Sequence, residues 1–135
     1  MEKIKIGFIC VHNSCRSIMA EGICREKYGE MFEVYSGGTE ENNVVKQDAL
    51  TTLKSVYNIE GDFSSKLIDT LPELDVVITM GCNVECPHLP SKYREDFGID
   101  DPSHKSLEIF ELSAKLIEAK IDLLALKIKT GEIEL

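Results

Sequence analysis

The sequence predicts an α/β fold, a single domain over residues 1–135 in which a four-stranded parallel sheet carries helices on both faces. Three observations lead there. Apolar, β-branched runs at Ile4–Ile9 and Asp75–Met80 have the length and continuity of strands buried on both sides. Strand-like runs are followed by helix-like ones, the alternation that produces parallel strands with crossover connections. A length of 135 residues suits one domain with a real core and is too short for two of ordinary size.

The elements follow in order. Ile4, Ile6, Gly7, Phe8 and Ile9 form the first strand, and Arg16 to Gly29 the helix it feeds. Met31 to Ser36 alternates weakly and stops at Gly37-Gly38, a second strand and its turn. Asn43 is suited to cap a second helix in which Val45, Ala49, Leu53 and Val56 recur at helical spacing, ending near Tyr57 before Asn58. A short helical turn over Leu67 and Ile68 stops before Pro72. After the Asp75–Met80 strand come Gly81-Cys82, then irregular sequence with one short strand near Tyr93 to Phe97. Leu107, Phe110, Ala114, Ile117, Ile121, Leu124 and Ile128 mark one stripe of a long final helix. That stripe reads as core packing, so a monomer is expected. Cys24, at helical spacing with Ala20 and Tyr28, reads as a buried core thiol.

Chemistry is expected between the first strand and helix, in Cys10-Val11-His12-Asn13-Ser14-Cys15-Arg16-Ser17. Five residues between Cys10 and Arg16 suffice to wrap the backbone around a tetrahedral oxyanion, with successive N–H groups turned inward. The helix N-terminus adds positive potential. Arg16 brings a planar fork for two oxygens of one anion. Cys10 lies at the floor of this cradle, where the inward N–H groups and the Ser17 hydroxyl stabilise its thiolate. Asn13 suits a loop position of positive φ.

Composition narrows the partners. A net charge of −9 and a pI near 4.8 argue against nucleic-acid or anionic-membrane partners, and an anion site here must concentrate its positive potential locally. The first apolar run is short and interrupted by Lys3 and Lys5, unlike a signal peptide, so a cytoplasmic location is expected. Five cysteines, at 10, 15, 24, 82 and 86, are an odd number in a core-forming chain, which reads as thiols or redox catalysts rather than a disulfide framework.

If the first and third strands are neighbours, Cys10 and Cys82 end on the same sheet edge. Strand spacing of about 4.8 Å and disulfide Cα separations of about 4.4–6.8 Å would let their thiols meet after modest movement. Cys86, four residues on and followed by Pro87, could close a small disulfide with Cys82. A metal set of Cys82, Cys86 and His88 lacks a fourth ligand unless Cys10 joins, so no metal is expected. Asp100-Asp101-Pro102 offers a carboxyl group that could protonate a leaving oxygen.

Cys10 to Ser17, Met19-Ala20-Glu21, Tyr35-Ser36-Gly37 and Asp101-Pro102 together resemble the low-molecular-weight tyrosine phosphatase superfamily, and more closely its thioredoxin-coupled arsenate reductases. The resemblance spans nearly the whole chain. It implies that Cys10 attacks arsenate held by Val11, His12, Asn13, Ser14, Cys15, Arg16 and Ser17 while Asp101 protonates the departing oxygen. It further implies a Cys10–Cys82 disulfide passed to Cys82–Cys86 and reduced by thioredoxin or a glutaredoxin-type donor, with no tightly bound cofactor. Two departures stand out. The last two cysteines lie closer together than in better-known members, and Lys66 occupies the segment where several carry an aspartate. In those relatives that aspartate joins residues matching Asn13, Glu21 and Ser36 around potassium, so the Lys66 ammonium is expected to replace the cation and steady the loop through Glu21 and Ser36.

Two rival readings are kept. A tyrosine phosphatase would need Cys10, Arg16 and Asp101 alone, but Thr39 to Leu50 holds no aromatic residue to wall a phenyl ring, and Ser103 stands where those enzymes usually carry tyrosine. A non-catalytic thiol switch would leave the full set of catalytic residues unexplained.

Overall fold

The computed structural model describes residues 3–13, 15–40, 44–81 and 89–135. Among these residues, four strands, β1 (Ile4–Cys10), β2 (Phe32–Gly38), β3 (Val76–Thr79) and β4 (Tyr93–Asp96), and three α-helices, α1 (Arg16–Tyr28), α2 (Gln47–Tyr57) and α3 (Leu107–Lys129), follow the order the sequence predicts. The sheet is wholly parallel in the order β2-β1-β3-β4. β1 is therefore central, and its apolar residues are buried on both faces as its continuous pattern requires. β4 is an edge strand, and its Tyr-Arg-Glu-Asp sequence gives that edge the charge that discourages further pairing.

The two faces are covered unequally. Ile6, Phe8 and Cys10 join Val76 and Ile78 in the main core, against Ile18, Ile23, Leu53, Phe110 and Ile117 of the three helices. Ile9 and Val77 face the other way, into a smaller cluster with Leu74, beside Ile68 and Leu71 of a 3₁₀ turn at Ile68–Thr70 and its margin. Gly7 makes that second layer possible: a Cβ there would lie 2.4 Å from Leu74 Cδ1. The helices are clipped together at their polar ends. Lys27 donates to Glu118 (2.8 Å) and Asp122 (2.7 Å), while Tyr57 donates to Glu118 (3.0 Å).

Local differences have local causes. α2 starts at Gln47 with Lys46 extended before it and no side-chain cap, so Val45 lies outside the helix and packs against the core from an extended segment. Asn43, the expected cap, lies outside the described residues. In α3 the Phe110-to-Leu124 stripe is buried, but Leu107, the first helical residue, is 45% exposed because it sits on the open end.

Cys24 is fully buried in the main core, and that burial, only partly countered by the Arg25 charge, pushes its thiol up to about 12. The stability this raised value contributes is complete below the ordinary thiol range near 8.5 and is lost as pH climbs through the folded-state value. Urea unfolding between pH 9 and 12 should show wild type losing stability relative to Cys24→Ala as pH rises; parallel profiles would refute this.

Candidate active site

β1 delivers Cys10 to the carboxyl edge of the sheet and α1 begins six residues later, so the intervening backbone must turn sharply. Asn13 makes the turn with φ of 51°, a left-handed conformation that asparagine tolerates. Its N–H donates to Cys10 Sγ at 3.2 Å, and its side-chain amide donates to Ser17 Oγ at 2.7 Å. Ser17 Oγ lies 2.9 Å from Cys10 Sγ. A Cys10 thiolate can only accept, so against the ionised sulfur the Ser17 hydroxyl is the donor. Two donors, the Asn13 N–H and the Ser17 hydroxyl, are thus available to a Cys10 thiolate.

Arg16, 9% exposed, is fixed from behind. Its Nη1 donates to the carbonyls of Met80 and Ile99, both at 2.8 Å. Two acceptors use both hydrogens of that nitrogen, which leaves the Nε–Nη2 edge, the edge that pairs bidentately with oxyanions. Among the described residues, the Nε is buried with no hydrogen-bond partner. A buried donor left unpaired is costly, and an anion in the loop would satisfy it. Gly81 keeps the clamp close: with φ of 103°, it would bring any Cβ to 3.0 Å from the Ile99 carbonyl oxygen.

Asp101 stands at the rim. Its Oδ1 accepts from the Ser103 N–H at 3.0 Å and from the Cys15 thiol at 3.5 Å. Partial burial pushes its carboxyl up, but the Ser103 N–H and hydroxyl, the Arg16 charge and the Cys15 thiol outweigh this and hold it below the usual carboxylate range. The Cys15 thiol is itself pushed up, chiefly by burial, with Ser103 opposing and the Asp101 and Cys10 charges adding to the rise. Asp101 is therefore ionised in the resting protein.

Behind the loop lies a second layer. The Ser65 hydroxyl donates to the Asn13 carbonyl and the Lys66 N–H to Asn13 Oδ1, each at 2.8 Å. The Lys66 ammonium donates to the Ser64 carbonyl at 2.7 Å and lies 3.7 Å from Glu21 Oε1. That same oxygen accepts from the Ser36 hydroxyl, while Arg25 holds Glu21 Oε2 at 2.7 Å. These donors do not suit a potassium ion: Asn13 Oδ1 and both Glu21 oxygens are already engaged, and two cationic side chains face the one carboxylate. Ser36 reaches Lys66 only through Glu21, and the direct tie of residue 66 to the loop is its backbone N–H. Gly38 closes the layer, since a Cβ there would lie 2.8 Å from the Val11 carbonyl oxygen and 3.0 Å from Asn13 N.

Of the residues singled out in the sequence, the structure brings Cys10, Asn13, Cys15, Arg16, Ser17 and Asp101 into one site, with Glu21, Ser36 and Lys66 behind it. The Val11 carbonyl accepts from the N–H groups of Thr39 (2.9 Å) and Glu40 (3.1 Å), fixing the loop against the end of β2. His12 is exposed, with Nδ1 3.3 Å from Glu40 Oε2. Ser14, Cys82, Cys86 and His88 lie outside the described residues, and with them both the disulfide and the zinc readings; among the described residues no cluster of three metal-ligating side chains occurs. Sequence reasoning missed Ser65, Arg25, Ser103 as a partner of Asp101, and the Met80 and Ile99 carbonyls. Only Ser103 carried a signal, by its place after Asp101-Pro102.

The low molecular weight phosphotyrosine protein phosphatase family matches residues 5–132. The chain belongs to that family. Within it, an arsenate reductase of Staphylococcus saprophyticus is 40% identical over 126 residues, covering 90% of this chain and 95% of that protein. The solved structure of an arsenate reductase in a phosphate-binding state superposes with a TM-score of 0.82 at 32% identity, covering 93% of this chain and 98% of that one. A thioredoxin-dependent arsenate reductase of Corynebacterium glutamicum superposes with a TM-score of 0.75 at 27% identity, covering 96% of this chain and 63% of that one. The phosphatase-family loop is thus present in a chain whose relatives include reductases.

Gly38→Ala tests how far the loop depends on β2. The atoms a methyl group would meet are backbone and cannot rotate away, so destabilisation of about 1–3 kcal/mol is expected. Phosphate affinity, measured by calorimetry, should fall with it; unchanged affinity would detach the loop from its support.

Proposed function

We propose that the chain is an arsenate reductase that passes electrons along a Cys10–Cys82–Cys86 relay. The observation that carries oxyanion binding is the buried Nε of Arg16, without a partner among the described residues, in the same loop as a Cys10 sulfur that accepts from the Asn13 N–H and lies 2.9 Å from the Ser17 hydroxyl. The relay is supported by strand order: β3 is paired directly with β1, which ends at Cys10, Met80 N–H donates to the Ile9 carbonyl at 3.0 Å, and Cys82 follows Met80 two positions on in the sequence.

In this reading the Cys10 thiolate forms a bond to arsenic while an arsenate oxygen departs, protonated by Asp101. Asp101 is ionised at rest, so it takes up its proton with the substrate, whose negative charge raises its proton affinity. Cys82 thiolate then attacks Cys10 Sγ. The sulfur–arsenic bond breaks with its electron pair left on arsenic, so arsenite departs and a Cys10–Cys82 disulfide remains. Cys86 attacks Cys82, frees the Cys10 thiolate and leaves a Cys82–Cys86 disulfide. Thioredoxin, or a glutaredoxin-type donor, returns both to thiols by ordinary exchange. Val11, His12, Ser14 and Cys15 contribute to the anion cradle, while Glu21, Ser36 and Lys66 hold it from behind.

Arsenite release from arsenate with thioredoxin, its reductase and NADPH should proceed catalytically in wild type and stop in Cys82→Ser and Cys86→Ser. Continued turnover by Cys86→Ser would remove that residue from the relay. If arsenite never appears, yet an aryl phosphate is hydrolysed through Cys10 with or without Cys82 and Cys86, the chain is a phosphatase instead.

Lys66 is proposed to take the place of a potassium ion. Wild-type turnover should be equal in potassium and sodium salts at matched ionic strength, whereas Lys66→Met should lose activity and regain part of it in potassium. A several-fold gain of wild type in potassium over sodium would refute the assignment.

A further inference from the structure

α3 is apolar on two sides. Its inner stripe packs into the main core. On the far side Ile109, Leu112, Leu116, Ala119, Leu123 and Leu126 recur at alternating intervals of three and four residues, a seam of about 26 Å along the helix. This side is open: Leu112 is 63% exposed, Leu116 47%, Leu123 50% and Leu126 56%. A helix apolar on both sides is the pattern of one covered on both. Alternating three-and-four spacing is that of a seam between two helices.

We infer that a second copy of this chain covers the seam, with the two α3 helices antiparallel about a two-fold axis between Leu116 and Ala119. Each layer of the seam then finds its match. Ile109 meets the partner's Leu126, Leu112 meets the partner's Leu123, and Leu116 meets the partner's Ala119, whose small side chain lets the helices approach at the axis.

The charges beside the seam select this arrangement. One flank carries Glu108, Lys115, Asp122 and Lys129, and antiparallel pairing sets this flank against its own copy. Glu108 then faces the partner's Lys129, and Lys115 the partner's Asp122, each twice by symmetry. The other flank opposes Ser113 to the partner's Lys120 and Ser106 to the partner's Lys127, with no like charges. Parallel pairing would instead set Lys115 beside the partner's Lys120. Asp122 is already steadied within its own chain by Lys27 at 2.7 Å, and its side chain is 42% exposed and reachable. The chain's charge of −9 opposes self-association in general, but the lysines at the seam remove that opposition locally. The sequence alone led to the expectation of a monomer because the core stripe accounts for one face of α3; the outer stripe is what that reading left without a role.

Sedimentation equilibrium of the full chain under reducing conditions tests the inference. Wild type should reach twice the 15.1 kDa chain mass as concentration rises. Leu116→Glu and Leu123→Glu, both at exposed positions, should stay at the single-chain mass with unchanged circular dichroism. Glu108→Lys and Lys129→Glu should each weaken the dimer several-fold, and the two together should restore it, which parallel pairing would not produce. A wild type that keeps the single-chain mass from micromolar to millimolar concentration overturns the inference and assigns the seam to a different partner. A dimer that survives Leu116→Glu, or a double charge exchange no tighter than either single one, overturns it as well.

Discussion

Asn13 is fully buried, and each of its four polar groups is engaged: the backbone N–H with Cys10, the side-chain amide with Ser17, the side-chain oxygen with Lys66 and the backbone carbonyl with Ser65. A buried amide is tolerated only when satisfied in this way, so the left-handed turn at Asn13 and the position of the 65–66 segment determine one another. The sulfur, the serine that serves it and the curvature of the loop all follow from that one residue. Glu21, Ser36, Arg25 and Gly38 make sense as the means of holding the segment that holds Asn13.

Much of this was legible in the sequence, and what was legible was local. The first strand, the loop, the first helix and the positive φ of Asn13 fall within thirty residues and carry patterns fixed by backbone geometry. The neighbouring placement of β1 and β3 follows from the doubly wound order. What the sequence hid is long-range. Arg16 is anchored by carbonyls 64 and 83 positions away, and any residue type supplies a carbonyl. Cys15 looked like one member of a loop, yet the fold sets it against Asp101, 86 positions on. The start of α2 differs too: the helix begins at Gln47, and Val45 packs against the core from the segment before it. Lys66 was singled out for its ammonium, while its backbone N–H makes the closer tie to the loop.

Electrostatics here work against the average. A chain of charge −9 repels anions at a distance. Inside the loop the balance reverses, because Arg16 is buried and its anchors are neutral carbonyls, not carboxylates. A guanidinium paired with a carboxylate would have spent its charge within the protein, whereas one held by carbonyls keeps it for an incoming anion. Asp101, which accepts from the Cys15 thiol and the Ser103 N–H, sits at the rim and leaves the floor to Arg16.

The carbonyl clamp on Arg16 also bears on how such a site endures as sequences drift. Side-chain anchors are lost by a single codon change, but the main-chain oxygens at positions 80 and 99 persist through apolar exchanges there that keep the core packed and the backbone path unchanged. The clamp itself asks nothing of the side chains at 80 and 99, which answer instead to the main core in which both are buried. A lineage can therefore exchange most of its surface and much of its core and still present the same cationic fork to the same loop.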